Sequence, residues 1–263
     1  MKSLEIDEVH RRVLAIAKEF DRICVKHRIT YYMIGGTMLG AIRHKGFIPW
    51  DDDMDFGVPM ESFQELIDVL DKELLYPYRC CTYKNHPAVL HNYIKIEDRD
   101  TCIDDKSIGL PLEKKLGLNV DVFPLNKCVL GGKAEKRLRR RVDLLGKAYL
   151  CSVSRGDSKA RQLAKKCLRT LTGGSPLHLQ QEIERRLQEI NKGECLGNLL
   201  GRWREKEIVP QAWYGNGVRY QFEDTSFVGL KDYDKYLTRM YGDYMELPPK
   251  EKQVAHVDNV YLR

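Results

Sequence analysis

The chain has 263 residues, 43% hydrophobic and 31% charged, with a formal net charge of +6. That is ample apolar material for one large domain, or a domain with an appendage, under a water-compatible surface. No apolar run approaches the roughly 18 residues of a membrane helix, so no membrane span is expected. The start, Met1 to Glu8, is acidic and amphipathic, which is wrong for a signal peptide. The eight cysteines show no CxxC pair and no Cys/His metal spacing. They read as free thiols in a reducing cytoplasm, the adjacent Cys80 and Cys81 included.

Residues 3–28 read as a helix, because Ile6, Val9, Val13, Ile16, Phe20 and Ile23 form one apolar stripe, with Ser3 as its N-cap. Tyr31 to Ile34 reads as a buried strand. Gly35-Gly36 then permits a tight turn and close approach to a ligand, since neither has a Cβ. Thr37 is placed to cap a short helix, Met38 to His44. A strand, a glycine turn and a helix N-terminus together present N–H groups to an anion.

The chain continues through Phe47 to Trp50 into Asp51-Asp52-Asp53-Met54-Asp55-Phe56-Gly57-Val58. In extended backbone, residues two apart share a face. Asp51, Asp53 and Asp55 then point one way, and Met54, Phe56 and Val58 point into the core. Parallel carboxylates repel unless a cation sits between them. An isolated DxD is usually a solvated acidic turn, but here an anion-binding turn ends the preceding strand. A phosphate cradle beside a divalent-cation clamp is what phosphoryl or nucleotidyl transfer needs.

Ser62 to Leu75 reads as a helix with a Ser62/Glu65 capping box. Tyr78–Tyr83 and Asn92–Glu97 read as strands. Lys95 points opposite to Ile94 and Ile96, either towards donor phosphate or into solvent at an edge. Leu118 to Pro124 is a strand on which Asp121 opposes Val120 and Val122. A carboxylate in such an apolar strand asks for a metal or a partner. Asp53, Asp55 and Asp121 are therefore the expected catalytic and metal-binding set, holding Mg2+ or Mn2+, with Asp121 able to take a proton from an attacking hydroxyl.

Residues 131–172 break the pattern. Thirteen lysines and arginines, against Glu135, Asp143 and Asp157, carry more than the whole net charge. Leu138, Val142, Leu145 and Tyr149 form one apolar stripe, and Leu163, Cys167 and Leu171 another. Two basic amphipathic helices are expected, then a third over His178 to Asn191. Such a surface suits anionic lipid headgroups or a polyanionic acceptor, or is simply solvated. Nucleic acid is not expected, because stacking aromatics are scarce there. In the C-terminal part, Asp232 caps a helix through Tyr241, and Gly242 ends it.

The sequence resembles the LicD family of phospho-alcohol transferases, related to the fukutin group. The resemblance rests on Gly35-Gly36-Thr37, Leu39-Gly40-Ala41, Arg43-His44 and Gly46-Phe47-Ile48-Pro49-Trp50-Asp51-Asp52-Asp53 with Asp55. It continues in Val120-Asp121-Val122-Phe123-Pro124-Leu125, in Phe222-Glu223-Asp224, and in Tyr233 to Leu237 and Tyr241 to Pro249. Lys95, ahead of Asp100-Thr101, also fits it.

The resemblance implies an α+β, nucleotidyltransferase-like mixed sheet flanked by helices. The expected organisation is a catalytic core over 1–126, a basic helical insertion or lid over 127–212, and a completing segment over 213–263. It implies transfer of a phospho-alcohol, such as phosphocholine, from a CDP-activated donor to a glycan hydroxyl, with CMP leaving. The enzyme would be cytoplasmic, or peripheral at the inner membrane face. Gly35, Gly36 and Thr37 would hold the diphosphate, and Arg43, His44, Lys45 and Lys95 would offset its charge. Trp50, Trp213 and Tyr214 are candidates for a choline cage.

Three departures stand out: Met60 and Asn126 where the family commonly has Arg and Asp, and a C-terminal basic pattern reduced to Lys252-Gln253 and His256. The alternatives are a template-free nucleotidyltransferase using an NTP and a non-catalytic nucleotide- or sugar-binding protein.

Overall fold

Val9, Val13, Ile16, Phe20 and Ile23, the stripe of the first helix, are all buried. They cover one side of a seven-stranded mixed sheet. The computed structural model describes residues 3–104, 110–153, 162–163, 166–167, 170, 175–253 and 259–263. In chain order the elements are α1 (Ile6–His27), β1 (Tyr32–Met33), α2 (Gly35–Arg43), β2 (Asp55–Pro59), α3 (Met60–Glu73), β3 (Tyr78–Cys81), β4 (Ile94–Asp98), β5 (Thr101–Ile103) and β6 (Asn119–Cys128). They continue with α4 (Lys133–Val153), α5 (Pro176–Glu189), β7 (Cys195–Asn198), β8 (Ile208–Pro210), β9 (Val218–Phe222), β10 (Thr225–Gly229), α6 (Tyr233–Tyr241) and β11 (Val260–Leu262).

The sheet runs β1-β2-β6-β4-β3, with β7 and β8 continuing from the C-terminal half of β6. Only β2 and β6 are parallel. This is the α+β, nucleotidyltransferase-like architecture that the sequence implied.

Register gives the sheet two different faces. Phe56 pairs with Val122, and Val122 with Ile94; Val120 pairs with Ile96, and Ile96 with Cys80. All are buried, and they form the dry face under α1 and α3. Directly alternating with them, Asp55 pairs with Asp121, Asp121 with Lys95, and Lys95 with Cys81. Asn119, Glu97 and Arg79 make the next row of this second, polar face. Period-two alternation therefore gathers Asp55, Asp121, Lys95 and Glu97 on one side of the sheet, while Asp98, at the end of β4, faces α1 and pairs with Arg12 at 2.7 Å.

Several boundaries differ from expectation. Helix α2 starts at Gly35, so the two glycines form its first turn instead of a turn before it. Gly35 has φ +55°, a backbone state open to glycine, and Ile34 is the extended residue that precedes the helix. Strand β2 starts only at Asp55, yet Asp52 and Met54 are buried and Asp53 is exposed, so the alternation persists through the loop. Ser3 and Ser62 cap nothing: α1 and α3 begin after Glu5 and Pro59, with no side-chain cap.

Within 127–212, α4 and α5 are helical, but β7 and β8 extend the central sheet. The Leu163–Cys167 stripe is not a buried one, both residues being exposed; the rest of that expected helix, and His256, lie outside the described residues. Among the described residues no helix is long and apolar enough to cross a membrane. The described cysteines are free thiols, with Cys80 and Cys81 in β3.

Phe20 locks α1 to the sheet. Its ring lies 5.0 Å from Phe56 and 5.1 Å from Tyr31, and Phe56 lies 5.6 Å from Phe227. Phe20→Ala is expected to cost about 3–5 kcal/mol, as other buried phenylalanine truncations do. Urea titration followed by circular dichroism measures it; a cost under about 1 kcal/mol would show that this ring cluster does not carry the α1–sheet contact.

Candidate active site

The polar face of the sheet is the site floor. Asp55 and Asp121 are cross-strand neighbours on parallel strands, and Lys95 Nζ donates to Asp121 Oδ1 at 2.5 Å and to Asn119 Oδ1 at 2.9 Å. Burial raises the Asp55 pKa well above the carboxylate range, and Asp53, Asp121 and Asp51 push it further up against the pull of Lys95. Burial opposes the charge on Lys95, but Asp121 and its neighbours more than compensate and hold the ammonium protonated. The ring of Tyr93 lies 5.3 Å from Nζ.

The glycines abut the acids. A Cβ on Gly35 would lie 3.4 Å from Asp55 Oδ2, and one on Gly36 would lie 2.8 Å from Asp51 Oδ2. The glycine start of α2 and the acidic loop are thus in contact. The Gly35 N–H donates to the Tyr236 hydroxyl at 3.0 Å, and the Asp55 N–H donates to Thr37 Oγ1 at 2.7 Å. Thr37 is buried, and this bond ties α2 to the start of β2.

Asp51, Asp52 and Asp53 each place a ligand oxygen within 4.8 Å of the others. With Asp55 and Asp121 beside them, this all-oxygen donor set suits a hard divalent cation and not a soft one. Asp51 is the acid that sequence reasoning placed on the right face but left out of the ligand set.

The loop carrying these acids is held from a distance. Glu223, in the tight β9–β10 turn, accepts the Phe47 N–H at 3.0 Å, and its own N–H donates to the Lys45 carbonyl at 2.7 Å. A Cβ on Gly46 would lie 1.9 Å from Glu223 Oε1, so a side chain there would displace this carboxylate from the Phe47 N–H. On the other side, His10 stacks on Phe47 at 4.2 Å and bonds the Asp51 carbonyl at 2.6 Å.

Four expected ligand contacts look different in the structure. Arg43 donates to the Tyr244 carbonyl at 2.9 Å and the Glu246 carbonyl at 3.2 Å, fastening the C-terminal strap. His44 accepts from Arg43 Nε at 2.9 Å. Burial and that guanidinium lower its pKa, so His44 is a neutral ring and not a counter-charge. Lys45 is exposed, in the left-handed region at φ +60°. Tyr214 is 1% exposed and packs on Tyr32 at 4.9 Å, which removes it from any choline cage. Trp50 and Trp213 remain half-buried. Asn126 donates to the Leu187 and Ile190 carbonyls, tying β6 to the end of α5, which accounts for an amide there.

A second buried group, Cys81, His86 and Glu97, neighbours Lys95. Glu97 already accepts from Arg79 and from the Gly117 N–H at 3.0 Å, and burial pushes the Cys81 thiol up to about 12. It is a satisfied ion-pair network.

Behind the cradle lies Glu207, buried and accepting the Trp203 N–H at 2.7 Å. Burial raises its carboxyl from 4.5 to about 7. An acid raised in the folded state holds its proton there but not in the unfolded chain. Stability is therefore full below about 4.5 and is lost as pH rises towards 7. Glu207→Gln keeps the acceptor and removes the charge. It is expected to stabilise the protein by up to about 3 kcal/mol above neutrality and to change nothing near pH 4. Thermal melts across pH would show the two curves converging in acid; parallel curves would contradict it.

Comparisons with known proteins bear on the same residues. The family model for the LicD/FKTN/FKRP nucleotidyltransferase domain matches residues 28–127, from β1 to the end of β6. The lipopolysaccharide cholinephosphotransferase LicD of Haemophilus influenzae is 30% identical over 281 aligned positions, covering 100% of both chains. The ribitol 5-phosphate transferase FKRP of mouse is 47% identical over 34 residues, 13% of this chain and 7% of that one. An end-to-end match, together with a family model over the strands that carry Asp55 and Asp121, means that the chain belongs to the LicD family.

Proposed function

We propose that the protein is a phosphotransferase that moves a phospho-alcohol, of the phosphocholine kind, from a CDP-activated donor to a hydroxyl of a glycan. The observation that carries this reading is the Asp55–Asp121–Lys95 row lying against the glycine-built start of α2. The relatives support the reaction class: one is named for cholinephosphate transfer to lipopolysaccharide, the other for ribitol 5-phosphate transfer.

Asp53, Asp55 and Asp121, with Asp51 beside them, would hold Mg2+ or Mn2+. The ion would supply charge neutralisation at the diphosphate and acidity at oxygen. The protein's own groups do the rest. In the first turn of α2 the N–H groups of Gly36 and Thr37 meet the donor phosphates, that of Gly35 being held by the Tyr236 hydroxyl. Lys95 neutralises Asp121 before the donor arrives and offers a second positive charge near the transferring phosphorus afterwards. Asp121 accepts the proton of the acceptor hydroxyl. The hydroxyl oxygen bonds to the phosphorus next to the alcohol, the bridge oxygen to the nucleotide phosphate breaks away, and CMP leaves. The dry face under α1 and α3 keeps the two carboxylates in register throughout.

The test is a CMP-release screen over CDP-choline, CDP-ribitol and CDP-glycerol, with a lipopolysaccharide-type glycan acceptor and with or without chelator. Turnover is expected only with divalent metal. Asp55→Asn and Asp121→Asn should each lose more than about a hundredfold, beyond what second-sphere changes cost. Pyrophosphate release from an NTP instead would assign nucleotidyl transfer, and full turnover in chelator would remove the metal from the scheme.

A further inference from the structure

Helix α4 buries Leu138, Leu145 and Ala148 against α5 and its surroundings. Its outer surface carries Lys133, Lys136, Arg137, Arg140, Arg141 and Lys147, all exposed. Spacings of three and four stack them along one side of the helix. Arg139 pairs with Glu135, and Asp143 faces Arg204 at 3.7 Å, but none of the six has an acidic partner among the described residues. Like charges at these spacings oppose the helix they stand on. They become favourable only against an anion.

Two grooves open on this surface. Arg137, Arg140 and Arg141 share one with Arg186 of α5; Lys136 and Arg140 share the other with Trp203, Arg204 and Lys206, where Asp143 and Glu205 are outnumbered by the cations. Guanidinium groups fit phosphate oxygens in pairs. Apolar groups stand beside the cations: Trp203 is 48% exposed, and Val129 and Leu130, in the turn leading into α4, are 65% and 46% exposed. A soluble polyanion needs only the charges. Cations interleaved with an interfacial indole and aliphatic side chains are what a bilayer surface meets.

The position is also telling. The Trp203 ring lies 5.8 Å from Tyr241, and the Tyr241 hydroxyl lies 3.9 Å from where a Gly35 Cβ would stand. The basic surface is thus one aromatic ring away from the cradle.

We infer that the outer face of α4, with the turn at Trp203 to Lys206, docks on the phosphate headgroups of an anionic lipid bilayer. The inference does not require the catalytic reading, because binding is measured without turnover.

The test is co-sedimentation of the full chain with phosphatidylcholine vesicles, with and without phosphatidylglycerol. Binding is expected only when phosphatidylglycerol is present, and should disappear in 1 M salt, where the Debye length falls to about 3 Å. Arg137→Glu combined with Arg140→Glu and Arg141→Glu should weaken partitioning by about a hundredfold or more, since several cations act together. Arg140→Glu alone serves if the triple variant does not fold. Lys72→Glu, on the exposed side of α3, is the control and should bind as wild type. Trp203→Ala should weaken binding several-fold. The inference fails if anionic vesicles are not bound, if the α4 reversals or Trp203→Ala bind as wild type, or if polyphosphate is bound and vesicles are not.

Discussion

Two carboxylates on adjacent parallel strands, with one ammonium facing them, set the terms for the rest of the molecule. Asp55 and Asp121 stand side by side only because β2 and β6 pair in parallel, and Lys95 meets Asp121 only because β4 pairs antiparallel to β6. A slip of one residue in any of these strands would send the charges into the apolar face and the core residues into water. The cluster is therefore as costly to misregister as the core itself. Burial raises the Asp55 carboxyl, and the charges of Asp53, Asp121 and Asp51 push it further up against the pull of Lys95.

What the sequence made legible follows from short-range rules. Period two put Met54, Phe56 and Val58 in the core and the aspartates opposite, and this survived even where the strand had not yet begun. The α1 stripe gave its packing face, and the isolated Asp121 announced itself as an acid in an apolar strand. The boundaries were less secure. Gly35 joined the helix because its positive φ lets Ile34 turn directly into α2, a conformation that composition does not reveal. Ser3 and Ser62 had the right chemistry for caps, but the chain entered each helix elsewhere.

The rest was illegible because the partners are far apart in sequence. Arg43 and His44 look like ligands for an anionic donor, yet the guanidinium holds carbonyls 201 and 203 residues away. Glu223 entered the sequence reading only as part of a family block, and the fold shows what it does: it clamps Phe47 across 176 residues. Tyr236 steadies Gly35 across 201. A residue type says what a side chain is able to bind; only the fold says whether a backbone group has already claimed it. Asn126 makes the same point in reverse, since its amide serves two carbonyls at the end of α5.

These long-range ties give the C-terminal segment its role. The acid-bearing loop and the glycine helix are both short, and neither has a core of its own to fix it. Glu223 holds the loop at one end, and Tyr236 and the strap under Arg43 hold the helix at the other. A site built this way does not exist until chain regions nearly two hundred residues apart have come together. Asp51, Asp53 and Asp55 are neighbours in the chain, but Asp121 joins them only through the β2–β6 pairing, whose other face is buried in the core. That pairing matters physically. Bringing like charges together opposes folding at every step, and only the burial of the dry face, at about 25 cal/mol per Å2, is large enough to hold them in place. The polar face is in this sense a consequence of the apolar one: the same alternation that makes the sheet stable makes it reactive on the other side.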